Sequence, residues 1–553
     1  MRFTAVIFIL VFIVSCARQG TPSGGPKDTE PPVFLGSNPD TLALQVNPEI
    51  EEIKIDFDEY VILKDYTKQI IVSPPLGTSA TFLPIGSPRK SVSIQLNEPL
   101  KENTTYNINF GNALQDNNEG NTLSNFQFAF STGDYIDSLK ISGKAKVLAA
   151  RETPENLLIG LYKIDSAYSD SLILKEKPFY VARTDSAGNF KLNYLHPGQY
   201  QMVAFDDEVQ NMQYDLGKEK FGFVAETIQL NENQKMDIQL FNQLPDYSLG
   251  IADQKGYGHL VFRFRGQPAS VEIEPLDFDF TTSEISHIPK SDSLNFWFDP
   301  RKDTIEEKSR RINFLVKHEN RVDTATLVYS NSPVHQLNLS ENGKGGFTPA
   351  KKFRLAANYP LKNLNPDFIQ VRKDTLALTY NLIRDSINPN AFTIDFPIEL
   401  NSAYTIDLLP GAVTDFFGEI NDTLQYDFRT KTRNDYGNLK LTLQGNPAHP
   451  FWIQLKNEQD EILDEKYTAD SEFEYKYLLP GNYYFTILID ENENQFWDTG
   501  DFFIRKQPEA AYIYPGFINV RALWDVDEIW ILNQPEIPEN DESPAENSVE
   551  DSP

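Results

Sequence analysis

Apolar residues recur at every second position through much of this chain, and that period limits it to half-buried strands. Ile53, Ile55 and Phe57 alternate with charged residues, Val92, Ile94 and Leu96 with polar ones, and Tyr106, Ile108 and Phe110 with Asn. Neighbouring side chains of a strand point to opposite faces, so such a segment has one dry side and one wet side. Turn residues interrupt the pattern roughly every eight to twelve residues. No long stretch shows the spacing of an amphipathic helix. The expected fold class is all-β, built as tandem β-sandwich domains. At 553 residues, the chain has room for about three to five domains.

The pattern also repeats on a larger scale. "GNFKLNYLHPGQYQMVAFDD" aligns with "SEFEYKYLLPGNYYFTILID" 283 residues on: Phe190 falls on Phe473, Tyr194 on Tyr477, Pro197 on Pro480, Gly198 on Gly481 and Tyr200 on Tyr483. A second pair lies 298 residues apart and places Tyr404 on Tyr106, Gly418 on Gly120, Phe428 on Phe130 and Thr430 on Thr132. Asp415 matches Asp116 after one inserted residue.

The segment Leu100 to Gly133 carries Leu100, Thr104 and Tyr106, then Asp116, Gly120 and Asn121, then Phe128, Phe130 and Thr132. These residues resemble the bacterial Ig-like domain of the S-layer protein type. The "Phe-x-x-x-x-Leu-x-Pro-Gly-x-Tyr" pattern resembles carboxypeptidase-regulatory-like or collagen-adhesin B-type repeats, which implies small prealbumin-like sandwiches. Pro-Gly is then expected to make a hairpin turn, with the flanking aromatics in the core.

"MRFTAVIFILVFIVSCARQG" opens with Arg2 and an apolar run from Phe3 to Val14, ending on the only cysteine, Cys16. A run of about twelve residues is too short to span a bilayer and suits a signal peptide. "IVSC" resembles the lipobox of bacterial lipoproteins, which implies diacylation of Cys16 and cleavage before it. Several acyl chains anchor far better than one. The alternative is an ordinary signal peptide with an incidental cysteine. By the same resemblance Ala17, rather than Asp, after the cysteine favours the outer membrane. The layout resembles that of envelope lipoproteins of Bacteroidota.

The plan is therefore a signal peptide at 1–15, a flexible tether at 16–30, an Ig-like domain at 31–134 and a prealbumin-like (regulatory-like) domain at 135–245. A β-rich domain without a family resemblance follows at 246–340, then a second Ig-like domain at 341–432, a second prealbumin-like domain at 433–533 and an acidic tail at 534–553. A net charge of -30 repels phosphate backbones, so no nucleic-acid partner is expected. The body has no cysteine, so each domain rests on its own core.

A search for chemistry yields little. The six histidines are scattered without zinc-ligand spacing, and there is no nucleophile elbow, P-loop or dinucleotide fingerprint. No catalytic residues are assigned. His196 reads as a turn residue, since the second copy has Leu479 there. Trp297, Tyr483 and Tyr484 read either as core or as a sugar-stacking platform.

One stretch suggests a metal. In "DENENQFWDTGD", Asp490, Asn492, Asn494, Asp498 and Asp501 fall at positions one, three, five, nine and twelve of an EF-hand-like loop, and Phe496 at seven could offer its carbonyl. Against calcium stand Gln495, where the loop wants Gly, and Asp501 in place of a longer Glu. The first copy, "DDEVQNMQYDLGK", keeps Asp207, Asn211 and Asp215 but has Lys218 at position twelve, so it is expected to be empty. The other reading is a wide turn capped by Asp and Asn side chains.

The function expected is that of a non-enzymatic cell-envelope lipoprotein: a lipid-anchored array of sandwiches for binding, adhesion or scaffolding, with an envelope protein or glycan as partner. The alternative is a glycan-binding accessory lipoprotein using exposed aromatics. A third reading places an enzyme in residues 246–340.

Overall fold

The computed structural model describes residues 28–532, apart from 77–79, 125, 304–308, 320, 331–335, 344, 345 and 446. The leader with Cys16, most of the tether and the acidic tail lie outside these residues. The structure is 49% strand and 3% helix, as period-two alternation requires. It divides into two compact units. Among the described residues, one comprises 28–145, 155–214 and 226–238, the other 146–154, 215–225 and 239–532. Residues 146–154 and 215–225, expected within the 135–245 domain, thus group with the second unit.

In the first unit, one sheet of the Ig-like sandwich runs in the order Phe34–Asn38, Glu52–Leu63, Arg89–Gln95, Thr81–Leu83. The other runs Ile71–Ser73, Thr105–Asn109, Gln127–Ser131. Ile53, Ile55, Phe57, Val92, Ile94, Ile108, Phe110, Phe128 and Phe130 are at most 2% exposed between them. Each such side chain contributes about 1.5–3 kcal/mol through burial.

The polar face of Thr105–Asn109 is not wet, contrary to expectation: Thr105 and Asn107 are buried. This face meets the following sandwich, where the Ser73 hydroxyl donates to Val181 O (3.2 Å) and accepts from Val181 N (2.9 Å). Small polar side chains let the two backbones approach, and the Ser73 hydroxyl pairs with both backbone polar groups of Val181.

The second sandwich contributes to this unit a sheet of Tyr180–Arg183, Leu158–Lys163, Gly198–Phe205 and Ile228–Leu230. A facing sheet has Asn189–Leu195 against Leu139–Val147. Strands Asn189–Leu195 and Gly198–Phe205 therefore lie in different sheets. Pro197–Gly198 is not a hairpin turn but a crossing from one sheet to the other, and in the second copy Glu472–Leu478 and Gly481–Ile489 are divided in the same way. The aromatics face the core as expected: Phe190, Tyr200, Phe473 and Tyr483 are buried.

The second unit holds three sandwiches. The middle one packs the sheet Ser248–Gly256, His259–Arg265, Ser293–Phe298, Ser283–His287 against Glu272–Pro275, Ser309–His318, Arg321–Ser330, around Leu260, Phe262, Phe296, Phe314 and Tyr329. The next reproduces the Ig-like pairing. Ala403–Leu408 pairs with Leu424–Arg429 so that Tyr404 opposes Phe428, as Tyr106 opposes Phe130 298 residues earlier. The ring pairs are stacked alike, at 5.1 Å and 5.5 Å. The last sandwich ends with Asp525–Ile531 parallel to Gly437–Gln444.

Candidate functional site

Most of the residues that looked chemical are spent on their own turns. Asp116 accepts from the backbone N–H groups of Asn118, Glu119, Gly120 and Asn121 at 2.6–3.1 Å. Burial disfavours its charge, yet those hydrogen bonds outweigh burial and hold its carboxyl below the ordinary value. Asp415 accepts from Glu419 N at 2.9 Å in the second copy. The Tyr106 hydroxyl accepts from Lys101 N (2.8 Å) and that of Tyr404 from Glu399 N (2.6 Å). Thr132 and Thr430 bond the carbonyls of the same two residues, at 2.7 Å and 2.6 Å. This joins Thr, Tyr and the incoming strand, much as a tyrosine corner does.

The loop Asp490–Asp501 is built on the same principle. Asp490 is fully buried. Its Oδ1 accepts from Asn494 N (3.0 Å), and its Oδ2 accepts from Gln495 N (2.6 Å) and the Tyr467 hydroxyl (2.7 Å). That last bond is the largest cause pushing the Tyr467 phenol up to about 12. Asn492 and Asn494 accept from the backbone N–H two residues on, at 3.1 Å and 2.8 Å, and Asp501 does so from Phe503 N at 2.9 Å. The first copy matches: Asp207 accepts from Asn211 N (2.9 Å) and Met212 N (3.2 Å) and pairs with Arg183 at 2.9 Å.

Asp498 faces the other way. Its Oδ2 receives Asn492 Nδ2 (2.8 Å), Asn494 Nδ2 (3.3 Å) and Lys506 Nζ (3.2 Å), and its Oδ1 receives the Lys290 ammonium. Burial raises the pKa of this carboxyl. The bonds from Lys290, Asn492 and Lys506 more than offset that and hold it at about 2. The six residues expected to ring a cation are thus one stretch of chain whose side-chain oxygens go to different partners, and two ammonium groups already sit at position nine. Among the described residues, no group of three or more His, Cys, Asp or Glu could hold a metal ion.

Beside the loop lies a cleft of about 810 Å³, lined among others by Tyr247, Lys290, His318, Lys456, Trp497 and Lys506. A smaller one of about 340 Å³ adjoins it at Arg151, Lys456 and Tyr484. The Arg151 guanidinium lies 4.0 Å from the Tyr484 ring centroid and 3.0 Å from an Asp460 oxygen. Burial pulls the Lys456 ammonium below its ordinary range.

The sugar-platform reading of the aromatics fails for the residues it named. Trp297 is 3% exposed and stacks on His259 at 3.5 Å, while Tyr359, Phe416 and Phe417 close around it. Tyr483 is buried and Tyr484 is covered by Arg151. His196 bonds Asp137, which lies on a distant segment, at 2.9 Å. Lys290, the residue that completes the loop, could not be found from sequence: it is an isolated lysine in a turn some two hundred positions away. The only signal was that a half-buried carboxylate must have a cation, with nothing to say which.

Residues 28–132 match the family described as Bacterial Ig-like domain. No curated protein matches the chain. Among solved structures, the chain is similar to the Bacillus anthracis TIE protein, at 10% identity, over 93% of this chain and 76% of that one, with a TM-score of 0.13. It is also similar to BcpA, the major pilin subunit of Bacillus cereus, at 9% identity, over 72% of this chain and 100% of that one (TM-score 0.13). A third is a DUF3823 family protein from Parabacteroides merdae, at 13% identity, over 35% and 99% (TM-score 0.13).

Proposed function

We propose that this is a non-catalytic lipoprotein of the bacterial cell envelope, held to the outer membrane by acyl chains on Cys16 and presenting a row of sandwiches as a scaffold or binding surface. One observation carries the reading. In the Ig-like copies Asp116, Asp415, Tyr106, Tyr404, Thr132 and Thr430 bond the backbone around their own turns, and in the prealbumin-like copies Asp207 and Asp490 do the same, which supports a structural duty for them. The short apolar leader ending on the lone cysteine supports the anchor, and the net charge of -30 suits a molecule kept soluble and apart from other polyanions.

Cell fractionation tests the anchor. The parent is expected in the detergent-soluble membrane fraction, and Cys16→Ala in the soluble one. Equal retention of the variant would end the lipoprotein reading. Affinity capture of the lipidated chain from its own envelope tests the scaffold: a reproducible envelope protein or glycan is expected, and an empty capture counts against it.

A further inference from the structure

The loop that resembles a metal site holds a neighbouring sandwich. We propose that residues 496–507 form a lock inside the second unit, closed by the Lys290 ammonium on Asp498. Lys290 sits at the tip of the turn between Ser283–His287 and Ser293–Phe298, with a left-handed φ of 61° and its N–H on Pro268 O at 3.0 Å. That turn delivers the ammonium to Asp498, with the Phe496 ring centroid 4.4 Å away. Lys506 flanks the same carboxylate from the loop itself.

The other side of the lock is uncharged. Thr499 Oγ1 donates to Asn242 O (2.6 Å), Phe502 N to Gln243 Oε1 (3.2 Å) and Gln507 Nε2 to Phe223 O (3.0 Å). The Phe502 ring meets Phe221 and Phe223 edge-on, at 5.6 Å and 5.3 Å. Gly500 is pressed against Phe241: a Cβ there would lie 2.5 Å from its ring. Distant stretches of the second unit (221–223, 241–243, the turn at 290, and 496–507) therefore meet at one loop, which also lines the 810 Å³ cleft. The lock sets how firmly the last sandwich closes that cleft, and releasing Lys290 leaves it held from one side.

Hydrogen exchange on the full chain tests this with two variants that disturb opposite sides. Lys290→Met keeps the aliphatic stem and removes the charge. Gly500→Ala drives a methyl into Phe241 and leaves every charge in place. Both are expected to speed exchange at least tenfold across 496–507 and 239–245 together, while Gly437–Gln444 stays protected. The proposal is overturned if each variant changes only its own neighbourhood, 288–292 for the first and 499–501 for the second. If Lys290→Met also exposes Gly437–Gln444, Gly500→Ala decides. Loss of core protection in both variants would mean that the loop is part of the fold and no separable lock.

Discussion

Asp490 and Asp498 have the same side chain and opposite duties. The first turns inward to cap backbone N–H groups and the second outward to hold two lysines. The difference gives a pH prediction. The Asp498 carboxyl lies at about 2 in the folded chain against an ordinary 3.8. A group depressed by folding stabilises the native state above its ordinary value, and that contribution fades as pH falls from about 4 towards about 2. Asp498→Asn should therefore flatten the loss of stability over that interval, seen as a shallower fall of the melting temperature than in the parent. The paired tyrosines give a second prediction. Tyr106→Phe and Tyr404→Phe each strip the acceptor from one backbone N–H, at a cost of about 0.5–1.5 kcal/mol. Their effects on denaturant unfolding should be equal within error, because the two networks have the same geometry.

At the scale of the element, the Asp-to-Gly turns show what a strand connection demands. Gly120 and Gly418 have φ of +80° and +85°, with open space where a Cβ would point. Ala at either position meets no neighbour and costs only the strain of left-handed backbone, about 1 kcal/mol. Asp116→Ala, which orphans the donors of a whole turn, should cost more than Gly120→Ala. Thermal unfolding of the two variants gives the comparison. The loop at 490–501 obeys the same rule, with Glu493 and Gln495 left-handed at φ 57° and 67° and their first-copy counterparts Gln210 and Met212 at 58° and 60°. Two copies that share this backbone share a turn, whether or not either meets a metal. Calcium entering this loop must displace Lys290 and Lys506 from Asp498. Millimolar calcium is therefore expected to leave the melting temperature and Trp497 fluorescence of the parent unchanged. A calcium response lost in Asp490→Ala would restore the metal reading.

For the molecule as a whole, successive sandwiches within each unit are joined by packed contacts of their own. In the second unit, Trp297 is the centre of one such contact, and Arg301 reinforces it by bonding Phe417 O and Glu419. Trp297→Ala should cost about 3–5 kcal/mol, the penalty for emptying a packed aromatic site. It should also speed proteolysis between the middle and second Ig-like sandwiches. Loss of glycan affinity without any change in stability would instead point back to a sugar-binding role for this residue.

The class of structure, the run of repeated modules and the duplicated turns are legible in the sequence. Each of these follows from local physics: a two-residue period makes a strand with two unlike faces, and Asp followed within a few residues by Gly favours a turn in which the carboxylate caps backbone N–H groups and Gly takes the left-handed conformation. Tertiary structure alone decided which polar faces stay wet and which side chains meet. Asn107 looks like a solvent-facing strand position until a second sandwich covers it. Trp297 reads as either core or ligand platform until Phe416 and Phe417, from another domain, are seen to bury it. Pro197–Gly198 reads as a hairpin until the partners of its two strands are known. The acidic loop reads as a cation site, but its carboxylates part company: Asp490 caps backbone N–H groups, while Asp498 meets Lys290, brought to it by a fold that juxtaposes residues no local pattern relates.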